Sequence, residues 1–174
     1  MISNEASKRY KKIENFLMKK DFNGFTKKDL FIMTIIKKGW GQDIAALSHM
    51  AESMVNLSII YPSNKQHYIY LINEIIKRAI HYKVNPYRKN IFTIDHLGKY
   101  GYYLEHLNII LGCFLSISDS EKYRKLNEKI SFHLLLNSKS YNNFHADLLP
   151  YVNMKWSADQ SAILYSLWLY DKNN

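Results

Sequence analysis

The hydrophobic pattern of the chain is most continuous between residues 99 and 117. From Leu104 to Ile117, apolar residues occur on nearly every side of a helical projection. A helix that lacks a polar face is normally enclosed by other elements of the fold. We therefore predict an inner helix over 99–117, in which the single cysteine, Cys113, is a small core residue.

An amphipathic pattern follows this segment. From Tyr123 to Leu134, apolar residues recur every three or four positions, and lysine and arginine occupy the positions between them. This spacing gives a helix one buried face and one solvated face. The preceding Ser118 and Glu121 have the S-x-x-E spacing of a capping box. We predict an outer helix over 120–136.

The same pair of patterns occurs 55 residues earlier in the chain. The apolar segment 42–60 precedes the amphipathic segment 64–82, and Ser63 and Gln66 again have the spacing of a capping box. A third apolar segment, 157–171, has no amphipathic partner after it. Repeats of this size are typical of stacked helical hairpins.

These patterns predict an all-α protein in which residues 1–174 form a single helical domain of about three hairpins. Two further helices are predicted at the N-terminus, over 4–20 and 26–38, the second beginning at Thr26. Because no outer helix follows 157–171, we expect the domain to be incomplete at its C-terminus. The last helix would then expose apolar surface, so self-association is expected.

Two sequence stretches resemble a known family. Residues 101–108 (GYYLEHLN) and 156–162 (WSADQSA), the latter followed by Leu167 and Tyr170-Asp171, are similar to the starts of the inner helices in six-hairpin (α/α) toroid proteins. This group holds glycosidases, polysaccharide lyases and linalool dehydratase-isomerase-like proteins. The resemblance covers roughly residues 40–171 and implies a partial toroid that binds its ligand where the inner helices begin. No catalytic motif matches closely enough for a role to be transferred to a residue.

The candidate site residues lie at these helix starts. Aromatic rings stack on sugar rings, amides and imidazoles bind hydroxyl groups, and paired carboxylates act as acid and base on a glycosidic bond. The catalytic candidates are Asp43, Glu105 and Asp159. The substrate-binding candidates are Trp40, Tyr100, Tyr103, His106, Trp156 and Gln160.

Each candidate also has a structural interpretation. Asp43 and Asp159 fall in first helical turns, where the helix dipole favours a carboxylate. Glu105 lies in an apolar helix, so it is either a proton donor kept in its neutral form or the partner of a cation such as Lys99 or Arg88. His106 is expected to point about 100° away from Glu105, and a core histidine held by hydrogen bonds is the alternative to a ligand-binding one.

Charge and the absence of motifs limit the remaining function classes. The net charge of +9 includes four lysine pairs, which indicate either a phosphate-binding surface or simply solvated helix faces. No nucleic-acid motif accompanies them, and no metal-ligand or cofactor motif is found. No signal peptide or membrane span is predicted, so the expected location is cytoplasmic by default. Two hypotheses follow: a carbohydrate-active or related toroid enzyme, and a non-catalytic helical-repeat module that binds a protein or an anionic partner.

Overall fold

The computed structural model of the chain describes residues 4–19, 40–98, 100–140 and 157–174. These residues form six α-helices and no strand, which confirms the all-α prediction. The predicted helix over 26–38 lies outside the described residues. The six helices are α1 (Asn4–Met18), α2 (Trp40–Ile60), α3 (Lys65–Ala79), α4 (Gly101–Ile117), α5 (Arg124–Ser140) and α6 (Ser157–Lys172).

Helix α4 is the centre of the described fold. Every residue of α4 except Tyr102 and Ser116 is buried, and the helix packs against α2, α3, α5 and α6. This burial confirms the prediction from its continuous apolar pattern. The other helices pack around it: α3 also contacts α2, α5 also contacts α6, and α1 lies against α3. The inner-helix prediction therefore holds for α4, whose neighbours include both α2 and α6.

Helices α4 and α6 approach each other closely at Gly112. A Cβ atom at this position would lie 3.0 Å from the Cβ of Leu169, closer than ordinary packing allows. Next to this contact, the side-chain amide of Asn173 donates a hydrogen bond of 2.9 Å to the Gly112 carbonyl. Glycine at position 112 thus avoids a close contact between the two helices, and Asn173, just after α6, is bonded to the middle of α4.

A buried polar network joins α4, α5 and α6. The Asn108 amide nitrogen donates to Ser131 Oγ at 2.9 Å and to Ser166 Oγ at 3.3 Å. Its carbonyl oxygen accepts from Asn127 Nδ2 at 2.7 Å. All four side chains are buried. Buried polar groups are costly without partners, so this network favours one relative register of the three helices.

Arg78 joins α1 to the rest of the domain. This buried residue of α3 donates from Nη2 to the carbonyl oxygens of Phe16, Leu17 and Lys19, at 2.8, 3.1 and 2.6 Å. Its guanidinium also lies 4.6 Å from the centre of the Phe16 ring. The last carbonyls of a helix have no partner within the helix, so the cation satisfies the C-terminal end of α1.

Both predicted capping boxes are wrong. A short 3-10 helix, Pro62–Asn64, precedes α3, and the residue before α3 is Asn64, without a side-chain cap. Ser118 ends α4, and α5 begins only at Arg124. Ser118 Oγ instead accepts from the Ser120 amide at 3.1 Å, and Glu121 binds Arg124. Serine near a helix end has such local alternatives, whereas the apolar periodicity still produces both helices.

Candidate functional site

The structure describes only part of the predicted site. Trp156 lies outside the described residues, as do the side chains of Trp40 and Asp159. Asp43 and Gln160 are half-buried residues in the first turns of α2 and α6. A ligand-binding role for Trp40, Trp156 and Asp159 at the helix starts therefore stays a prediction.

Tyr103 is fully enclosed in the core. Its hydroxyl donates a hydrogen bond of 3.0 Å to the Ala79 carbonyl at the end of α3, and burial raises its pKa well above the usual value. Residues 103 and 105 lie about 200° apart around a helix, so the two side chains leave α4 on different sides. The geometry gives Tyr103 a role in holding α3 against α4, and its ring is not open to a ligand.

Glu105 and His106 are also buried, and they lie closer together than the sequence indicated. Their side-chain atoms Oε1 and Nε2 are 3.8 Å apart, which corrects the expectation that His106 points away from Glu105. The error arose because the angle between the Cβ atoms does not limit where the tips of two long side chains lie. The other ring nitrogen of His106, Nδ1, lies 2.9 Å from Ser48 Oγ on α2.

The imidazole of His106 is neutral. Burial, with a smaller contribution from the nearby His49, lowers its pKa to about 3. The Ser48 hydroxyl donates to the Ala45 carbonyl at 2.8 Å, so Ser48 Oγ accepts from the protonated Nδ1 of His106. This leaves a lone pair on Nε2, at 3.8 Å from Glu105, which is too long for a hydrogen bond.

Serine, histidine and glutamate also occur together in hydrolase triads, but this cluster differs from one. Ser48 and Glu105 are fully buried, so a substrate cannot reach the Ser48 oxygen. The geometry matches the interpretation of His106 as a core histidine held by hydrogen bonds. Ser48 was not among the predicted residues, because one serine within an apolar helix gives no functional signal.

A pocket lies beside the start of α4. It has a volume of about 680 Å³ and includes Tyr100, one of the predicted substrate-binding residues. We call it the Tyr100 pocket. Its remaining lining residues come from the connection between α3 and α4, and they are Tyr82, Lys83, Val84, Asn85, Pro86 and Arg88.

Asn85 holds the wall of the Tyr100 pocket in place. The buried side chain donates from Nδ2 to the Lys89 carbonyl at 2.8 Å and accepts from the Tyr87 amide at 3.0 Å. Its own backbone amide donates to the His81 carbonyl at 2.8 Å. These bonds close two successive turns, so the positions of Lys83 and Arg88 on the pocket wall are fixed by backbone structure.

The only two non-glycine residues with positive φ in the described ranges both line this pocket. Arg88 has φ of 53° and Tyr100 has φ of 72°, in the left-handed region. That conformation is unfavourable for residues with a Cβ atom, by about 1–2 kcal/mol each. The Tyr100 ring packs edge-on against Tyr87 with centroids 5.0 Å apart. Strained backbone is commonly retained where it positions groups for a ligand.

Another group of polar and aromatic residues involves α2, α4 and α6. Burial raises the pKa of Glu52, while the charge of His49, 3.8 Å away, lowers it in part. Burial also raises the pKa of Tyr165, and the neighbouring Cys113 and Glu52 add to this rise. The Tyr165 ring stacks on Trp168 at 5.8 Å. Sequence reasoning missed Glu52 because it lies in the middle of α2 rather than near its start.

In comparisons with protein-family models, curated proteins and solved structures, the chain gave no match. The resemblance to toroid proteins therefore depends on the two quoted sequence stretches alone. None of the described helices is both long and apolar enough to cross a membrane. In the same residues, no three histidine, cysteine, aspartate or glutamate side chains form a group that could hold a metal ion.

Proposed function

We propose that the chain is a partial (α/α) toroid of about three helical hairpins that binds a carbohydrate or a related small molecule in the Tyr100 pocket. The observation that carries this proposal is the position of the pocket. It lies beside the first residue of α4, which is the helix that the apolar pattern identified as an inner helix, and it includes the predicted substrate-binding residue Tyr100. Inner-helix starts are where the resemblance implies a ligand.

The lining of the pocket suits a ligand of this kind. Its volume falls within the range of roughly 300–1,000 Å³ that is usual for small-molecule sites. Tyr82, Pro86 and Tyr100 provide flat apolar surfaces against which a sugar ring can pack. Lys83 and Arg88 provide hydrogen-bond donors for ligand oxygens. The combination of apolar surface with a few polar groups is characteristic of ligand sites.

Ligand-observed NMR tests the proposal. Saturation-transfer spectra recorded with a panel of neutral and acidic mono- and oligosaccharides should show binding that Tyr82→Ala abolishes. Tyr70→Ala is the matched control, because both rings are exposed and Tyr70 is not a lining residue of the pocket. A panel in which no sugar binds, or binding that survives Tyr82→Ala unchanged, would refute the proposed site.

Catalysis needs a separate test, because Glu105 is fully buried. Glu105→Gln keeps the shape of the side chain and removes its titration. If Glu105 is the proton donor of a toroid-type reaction, this variant should abolish turnover of any sugar that the protein converts and leave the melting temperature nearly unchanged. A fall of several degrees with unchanged sugar binding would show that Glu105 is a structural residue.

A protein-binding module is the second candidate function, and exposed apolar residues of α6 favour it. Leu164, Tyr165 and Trp168 lie on one side of this helix and are 51%, 37% and 53% exposed. Large apolar residues grouped on a surface often mark an interface. Leu164→Lys should then remove association with a protein partner and leave sugar binding unchanged.

A further inference from the structure

We propose that the Tyr100 pocket selects ring-containing ligands that carry an anionic group, either a carboxylate or a phosphate. This inference rests on the proposed function, since it assigns a ligand class to the same pocket. It goes further because a neutral carbohydrate would satisfy the proposed function but not this inference.

The charge of the lining is the first argument. Lys83 and Arg88 both line the pocket, and its described lining residues include no carboxylate. The surrounding chain has the same sign, because the segment from 81 to 98 also contains Lys89 and only one acidic residue, Asp95. The charges of Lys83 and Arg78 help to lower the pKa of His81 just beyond α3, after burial as the main cause. The potential beside the pocket is therefore positive.

The way in which the backbone holds Arg88 is the second argument. Its amide donates to the Asn85 carbonyl at 3.1 Å, and its φ of 53° follows a turn that the buried Asn85 closes. A cation attached to fixed backbone loses less freedom on binding than one on a mobile loop. Guanidinium groups bind carboxylate and phosphate oxygens through two parallel hydrogen bonds.

The apolar part of the lining is the third argument. Tyr82, Pro86 and Tyr100 share the pocket with the two cations. A small inorganic anion would leave these surfaces without a contact, whereas a ring with an attached anionic group uses both parts of the site. The geometry thus points to a ligand with a ring and an anionic substituent.

Isothermal titration calorimetry with a matched series tests this inference. The series contains a neutral hexose, the corresponding hexuronate, the corresponding hexose 6-phosphate, and inorganic phosphate. At least one of the two anionic sugars should bind about tenfold more tightly than the hexose, which corresponds to about 1.4 kcal/mol. Arg88→Gln and Lys83→Gln should each lower the affinity for the anionic sugar more than the affinity for the hexose, because glutamine keeps a hydrogen-bond donor but removes the charge. Lys125→Gln, at an exposed position of α5, is the control.

Salt gives an independent readout on the unmodified protein. Between about 0.01 M and about 1 M NaCl, the screening length falls from about 30 Å to about 3 Å. The affinity for the anionic sugar should fall towards that of the neutral hexose, which should itself change little. A preference that is insensitive to both salt and the two glutamine variants would overturn the inference.

The outcomes separate the inference from the proposed function. Tighter binding of the hexuronate or the hexose 6-phosphate supports the inference and identifies the anionic group. Equal affinities for neutral and anionic sugars overturn it, while the proposed function stands. Inorganic phosphate that binds as tightly as the sugar phosphate overturns the requirement for a ring. If no sugar binds, the proposed function fails and the inference fails with it.

Discussion

Replacement of Arg78 by methionine tests how α1 is held on the domain. Methionine preserves most of the apolar length of the side chain but removes the three hydrogen bonds to the carbonyl oxygens of Phe16, Leu17 and Lys19. Hydrogen bonds to a charged group contribute about 1.5–3 kcal/mol each, and bonds that share one donor group do not add fully. Leu17 is 2% exposed and Lys19 is exposed, so water can replace only part of the loss.

The expected decrease in the free energy of unfolding is therefore about 2–4 kcal/mol for Arg78→Met. For a chain of this length, the melting temperature should fall by about 4–16 °C. Arg78→Lys keeps the charge but replaces the planar donor group with a compact ammonium, so its loss should be smaller. Urea unfolding followed by circular dichroism measures both variants, and hydrogen exchange should show lost protection of the α1 amides.

Arg9→Met is the matched control. Arg9 lies on α1 and forms an exposed ion pair with Glu5 at 3.1 Å, which is worth about 0.3–0.5 kcal/mol. If Arg78→Met changes the stability by no more than this control, and the α1 amides stay protected, the guanidinium does not hold α1.

Three further predictions concern the core and the surface. The pKa of His106 is lowered from 6.5 to about 3 in the folded state, so stability should be lost as the pH falls from about 6.5 towards 3. The free energy of unfolding in urea should be about 2 kcal/mol lower at pH 5 than at pH 7. His106→Asn should remove this difference. Asn108→Ala should lower the free energy of unfolding in denaturant by about 3 kcal/mol, because Asn127, Ser131 and Ser166 lose a buried partner. The control is Ser116→Ala, at an exposed position of the same helix, which should lower it by less than about 0.5 kcal/mol. Light scattering at low micromolar concentration should show dimers or larger species that Trp168→Lys disperses, and a monomeric parent protein would contradict this.

Hydrophobic periodicity predicted the helices of the central region because burial determines them. The segments 42–60 and 99–117 were predicted from apolar residues alone. The observed helices, Trp40–Ile60 and Gly101–Ile117, end at the predicted residues and begin two residues away from the predicted starts. The capping boxes failed because Ser118 and Glu121 found nearer partners, the Ser120 amide and Arg124. Local polar bonds have several solutions of similar energy, whereas a large apolar face has few.

The candidate site was less predictable, because nearness to a helix start does not determine the direction of a side chain. Tyr103 and Glu105 were grouped by position, yet Tyr103 bonds to α3 while Glu105 approaches His106. The Tyr100 pocket depends on the path of the connection after α3, which follows from the bonds of Asn85 rather than from periodicity. Tyr100 was correctly placed beside a helix start, but nothing in the sequence pattern indicated a pocket formed with Arg88.

A crystal structure of the protein with a bound acidic sugar is the most direct test of the Tyr100 pocket. The ligand should be one that binds in solution and whose affinity Arg88→Gln lowers. Its ring is predicted to lie against Tyr82 and Tyr100, with the carboxylate or phosphate within hydrogen-bond distance of the Arg88 guanidinium. A ligand bound elsewhere on the protein, with the pocket left empty at saturating concentration, would contradict both the proposed site and its preference for anionic ligands.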